Sequence, residues 1–248
     1  RQHTGEFLKM GFSRLQKLSW DQEWMALAAY LSGFICHFTL DSMIHPYVYW
    51  AEKNWIWTMD GLPARTTHQA VEISLDVLFW KEKRMSPACK VKTRKLVDIG
   101  RQWPSGVEEF LLDTFKSIYH VRTDRKGLNK VLRDFYRGHD LLYDPGGWKK
   151  TLVGWLDSFT GGGIRPPKVP YPARLDETID WANRKKRTWT HPYKEDEKHR
   201  ESVEEILNKA SFEAANHING VFAAILRGEP IDGFFSDISY YTGLPCDE

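Results

Sequence analysis

From Trp24 to Leu40 the chain carries no Asp, Glu, Lys or Arg, and that run fixes much of what the protein can be. It is shorter than the roughly 20 apolar residues a bilayer span requires, and it contains Ser32, Gly33, His37 and Thr39. We therefore read it as a buried core helix. Apolar residues recur at intervals of three and four there, as they do at Val107, Phe110, Leu111, Phe115 and Ile118, which is helical rather than strand periodicity. The pattern predicts helices over about 5–18, 21–44, 64–83, 89–100, 105–122, 126–138, 147–158, 174–186 and 200–227, and few strands. The expected fold class is all-α, a single multi-helix domain over residues 1–248 with any metal site between core helices. Asp21 is placed to cap the second helix, and Pro46 is expected to stop it near His45, because a proline ring clashes with the preceding turn.

Residues 159–172 hold three glycines and four prolines and predict an extended connection, read as a crossover loop in preference to a hinge. Apolar residues make up 42% of the chain and the mean hydropathy is -0.51, which excludes a disordered or multi-span chain. A net charge of +2 gives no strong field for gathering polyanions, so no nucleic-acid partner is expected. Cys36, Cys89 and Cys246 are odd in number and far apart. They fit a reducing compartment, or free buried thiols, better than a disulfide framework, which leaves the compartment open with the cytoplasm favoured, and Cys36 is read as an inert buried thiol. The chain starts at Arg1, and an N-terminal part is expected upstream, where any signal peptide would lie.

Two helix faces concentrate the chemistry. His37, Asp41 and His45 stand at i, i+4 and i+8, and His68, Glu72 and Asp76 repeat the spacing. Residues four apart lie one turn from each other on one face. Packed together, the two faces would bring three imidazoles and two or three carboxylates into one pocket, a donor set suited to zinc. A lone His–Asp pair is usually a solvated or capped pair. Here, however, His37 and Asp41 sit in an apolar helix, where burying them without a strong partner would cost several kcal/mol. Asp76 is either a carboxylate orienting a ligating imidazole or an exposed helix residue. His191, in TWTHP, precedes Pro192 and falls at a turn or helix boundary. It joins His120, His139, His199 and His217 in surface or core roles. No GxSxG, Walker loop or dinucleotide fingerprint occurs.

At HTGEFL (3–8), YLSGFICHFTLDSMIHPYVY (30–49), HQAVEISLD (68–76), WTHP (189–192) and ISYYTGLP (238–245), the sequence resembles the zinc-dependent phospholipase C family, a group related to single-strand-specific zinc nucleases. The resemblance implies an all-helical domain with one to three Zn2+ ions that hydrolyses phosphodiesters, phospholipid headgroups being the first expectation. A nuclease-like phosphodiesterase and a non-catalytic metal-stabilised helical module are the alternatives. Carried over by residue, it makes His37 and Asp41 ligands of one zinc, with Asp41 the bridging catalytic carboxylate, and His45, His68 and Glu72 ligands of another. The remaining ligands would lie upstream of Arg1, with His3 their neighbour, and the step from Asp41 to His45 is shorter than in the secreted phospholipases. The aromatic stretch 47–61 is expected to join the two ligand helices as a loop. Its Trp50, Trp55 and Trp57 either cap the core or form a lip for peripheral membrane contact, with at least one of them exposed.

Overall fold

A computed structural model describes residues 3–55, 67–146, 148, 149, 152, 155 and 175–246. Among them the chain is largely α-helical: α1 Thr4–Leu15, α2 Gln22–Trp55, α3 Thr67–Arg84, α4 Arg94–Val97, α5 Ser105–Ser117, α6 Arg125–Leu142 and α7 Val203–Arg227. The described strands are β1 Trp189–His191 and β2 Lys194–His199. They pair antiparallel, with Trp189 opposite His199 and an irregularity between Thr190 and His191. The helical fold class is thus as expected. The connection 159–172 and most of the expected helix 147–158 lie outside the described residues.

The chain divides into two compact units, one of residues 1–50, 103–129 and 182–248, the other of residues 51–102 and 130–181. In the first, Phe7, Leu8 and Phe12 of α1, Leu27, Leu31 and Ile35 of α2, Val107 and Phe110 of α5, and Val221 and Ala224 of α7 form one buried core. Asp21 caps α2 by accepting from the Glu23 and Trp24 amides. At α7, Ser202 and Glu205 make a reciprocal capping box, and Gly228 ends the helix with φ 68°, a left-handed conformation that costs glycine little. In the second unit Leu132 and Tyr136 of α6 are buried, and the Tyr136 hydroxyl accepts from the Ile99 amide at 2.9 Å.

Four expectations are corrected. Pro46 does not end α2, which continues to Trp55, so the stretch 47–61 begins as helix rather than loop. A helix-interior proline costs about 3 kcal/mol. The turns around it bury Tyr47 and Val48 almost completely, each contributing roughly 1.5–3 kcal/mol, so continuation wins. The Ser42 carbonyl, which Pro46 cannot bond, is instead closely approached by Gly243, where a Cβ would lie 2.3 Å from it.

Residues 175–186 form turns, not a helix. The amide and hydroxyl of Thr178 donate to Asp176 Oδ1. Asn183 takes φ 52° and exchanges side-chain hydrogen bonds with Arg187, its Nδ2 donating to the carbonyl and its Oδ1 accepting from the amide. Side chains that satisfy nearby backbone compete with helix formation. Likewise, 89–100 holds only a 3-10 turn, Ala88–Lys90, and the single turn of α4. Lastly, α2 is long and apolar enough to cross a membrane, yet it buries one face in the core and leaves Cys36 and His37 exposed on the other.

Candidate metal centre

The ligand spacing on α2 does what helical geometry requires. His37 Nε2 lies 3.3 Å from Asp41 Oδ2, the side chains being 63% and 21% exposed. The expected burial of His37 is therefore wrong: its side chain stands mostly in solvent, while that of Asp41 is largely covered. One turn on, His45 is buried, and its Nδ1 is 2.6 Å from the Tyr240 carbonyl oxygen. A carbonyl only accepts, so Nδ1 carries a hydrogen toward it, the arrangement found behind metal-bound imidazoles. The ring is flanked by Tyr49 and Tyr241 at centroid distances of 6.0 and 5.9 Å.

In the second unit α3 repeats the pairing. His68 Nε2 lies 3.2 Å from Glu72 Oε1, and its Nδ1 lies 3.6 Å from Glu52 Oε2. Carboxylates thus stand on both sides of this imidazole, and Glu52 was not singled out by sequence, because it comes from the end of α2 rather than from α3. Asp76, another turn along, is exposed and lines a separate cavity of about 240 Å³ with Trp80, Ala88 and Thr93.

One phenol stands beside the α2 pair. The Tyr240 ring centroid is 6.0 Å from that of His37, and burial raises the Tyr240 hydroxyl far above the ordinary phenol range, with Tyr119, Asp41 and Tyr30 adding to the shift. Tyr30 is pushed up to about 12 by burial and by Tyr119. Both therefore stay protonated near neutrality and remain neutral hydroxyls rather than charges. A further group escaped the sequence reading: ligand atoms of His3, Glu6 and Asp237 lie within 4.8 Å of one another. Asp237 is already engaged there, since its Oδ1 accepts from the Gly5 amide at 2.6 Å and more weakly from that of Glu6 at 3.4 Å. It caps α1, whose His3 gives no side-chain cap. Helix N-termini favour anions, which accounts for this carboxylate without an ion.

Two of the other histidines are tied into the first unit. Nε2 of His191 donates to the Thr242 carbonyl at 2.9 Å and its Nδ1 accepts from the Tyr193 amide at 3.3 Å, so this residue holds the C-terminal segment. His199 stacks on Trp189 at 4.3 Å, with Glu197 and Glu201 3.1 and 3.5 Å from its nitrogens. Of the three tryptophans, Trp50 is half-buried with its ring 6.0 Å from Tyr47. The side chains of Trp55 and Trp57 lie outside the described residues, as does the rest of the aromatic stretch beyond Trp55.

The donor set fits zinc: imidazole nitrogens are paired with carboxylate oxygens on both ligand helices, and no thiolate is needed. Residues 1–121 match the family model described as zinc dependent phospholipase C, a stretch that contains His37, Asp41, His45, His68 and Glu72. No curated protein and no solved structure matches the chain.

Proposed function

With residues 1–121 carrying a zinc-dependent phospholipase C family domain as the premise, we propose that the protein is a phosphodiester hydrolase acting on phospholipid headgroups, with His37, Asp41, His45, His68 and Glu72 as ligands of one to three Zn2+ ions. The observation that carries this reading is the pairing of imidazole and carboxylate at 3.3 Å on α2 and 3.2 Å on α3, both inside the matched stretch. Bound zinc supplies a water acidified to a pKa of about 7 and neutralises charge on phosphoryl oxygens.

The chain's own groups prepare for that chemistry. Asp41 is the catalytic candidate, because a carboxylate has two oxygens and can bridge two cations. The Tyr240 carbonyl accepts the His45 Nδ1 hydrogen and so orients the ring. Glu72 stands 3.2 Å from Nε2 of His68, and the Glu52 carboxylate lies 3.6 Å from its Nδ1, on the other side of the ring.

Elemental analysis of the purified chain, followed by turnover of a phosphocholine ester and of single-stranded DNA, tests the reading. The expected result is bound zinc with cleavage of the ester alone. Zinc-free protein, or DNA cleaved in preference to the ester, would overturn it.

A further inference from the structure

The second unit turns an apolar stripe outward. Trp148, Lys149, Leu152 and Trp155 are helical, and residues three, four and seven apart on a helix share a face. Trp148, Leu152 and Trp155 therefore lie together, and they are 60%, 43% and 57% exposed. The charge beside them is used internally: the Lys149 ammonium donates to the carbonyls of Asp140 and Tyr143 at 2.9 and 2.7 Å. This is the reverse of an ordinary surface helix, in which lysines reach into water and indoles turn inward. Single exposed apolar residues are unremarkable, whereas a contiguous row of them marks a surface that something covers.

Charge and residue type identify the occupant. By sequence the second unit has 18 Lys and Arg against 13 Asp and Glu, a difference of +5, while the first has 17 against 20, a difference of -3. The whole-chain value of +2 hides this asymmetry. On α6 of the same unit, Lys130 and Arg137, 70% and 74% exposed, share Asp134 as their ion-pair partner and so keep one positive charge between them, and Arg133 beside them is exposed as well. An anionic surface complements such a unit. Tryptophan, moreover, prefers the membrane interface, where the ring body meets acyl chains and the indole N–H meets headgroups. We propose that this face docks the protein on bilayers containing anionic phospholipid, with Trp148 and Trp155 entering the interface and Leu152 between them. The docking is independent of hydrolysis, and it would bring a headgroup hydrolase to its substrate.

Co-sedimentation of the full chain with vesicles decides the matter. The parent should pellet with phosphatidylcholine vesicles containing a quarter phosphatidylglycerol far more than with pure phosphatidylcholine, and added salt should weaken the binding. The double variant Trp148→Ala/Trp155→Ala should lose at least about tenfold in partitioning, with an unchanged circular dichroism spectrum and melting temperature. The Trp148→Phe/Trp155→Phe variant should keep most of the binding. A parent that ignores both vesicles, or an alanine variant that pellets like the parent, overturns the proposal. So does a concentration-dependent dimer of the parent that the alanine variant loses, since a second copy would then be the occupant. Zinc content and ester turnover on the same preparation report on the hydrolytic reading alone, so protein that binds vesicles without turnover upholds docking and counts only against hydrolysis.

Discussion

A single backbone oxygen does as much for the candidate centre as any side chain around it. His45 Nδ1 is fixed by the Tyr240 carbonyl, 195 residues away in sequence, whereas His37 with Asp41 and His68 with Glu72 are fixed by their own helices. Glu72→Gln keeps the shape of the side chain and removes its anionic charge, so the zinc affinity of the purified chain should fall by at least about tenfold. Competition with a graded chelator measures that fall, and an affinity equal to the parent's would refute the ligand assignment. The two pairs were legible because helical spacing alone places i and i+4 together. The Tyr240 contact was not, because a carbonyl oxygen has no sequence signature. The exposure of His37 was misjudged for a related reason: a run without charged residues was read as buried all round, although the core takes only the face of α2 that holds Leu27, Leu31 and Ile35.

Among the elements, α2 and α7 show where local rules yield to packing. Pro46 is a reliable stop signal in isolation, but burial of Tyr47 and Val48 outweighs its cost, and no local pattern announces that Gly243 will lie over the exposed carbonyl. Gly243 has φ +66°, and a Cβ there would stand 2.3 Å from the Ser42 oxygen. Gly243→Ala should therefore lower stability by about 1–3 kcal/mol, read as a lower melting temperature; an unchanged melt would show that the contact relaxes freely. On α7, burial lowers the pKa of His217, against an opposing hydrogen bond with the backbone of Phe234, and its ring packs 5.7 Å from that of Phe235. Unfolding frees the imidazole to take up a proton, so its stabilising contribution is present above the ordinary histidine value of about 6.5 and is lost as pH falls through the depressed folded value. His217→Gln should flatten the decline in denaturant midpoint on the acid side of that value. Parallel declines in parent and variant would assign the acid sensitivity to other groups.

At the scale of the whole molecule, the stretch that matches the family is not the stretch that folds. Residues 1–121 supply α1, α2 and α5 to the first unit's core, but the same core takes Val221 and Ala224 from α7, together with Ile231. Phe12 of α1 is fully buried, and its ring packs 5.8 Å from that of Phe222 and 5.4 Å from that of Phe235. The N-terminus of α1 is capped from the far end of the chain, by Asp237. Removing everything after residue 121 would leave Phe12 bare on one side and that helix end uncapped. Truncating a single buried phenylalanine typically costs about 3–5 kcal/mol, against a total stability of about 5–15 kcal/mol for a domain, and here several buried residues would lose their partners together. A fragment of residues 1–121 should therefore show no cooperative thermal transition and a poorly dispersed amide NMR spectrum, although it retains all five proposed ligands, while the full chain melts cooperatively. A sharp melt with dispersed amide signals from the fragment would mean that the C-terminal half decorates a self-sufficient core rather than completing it.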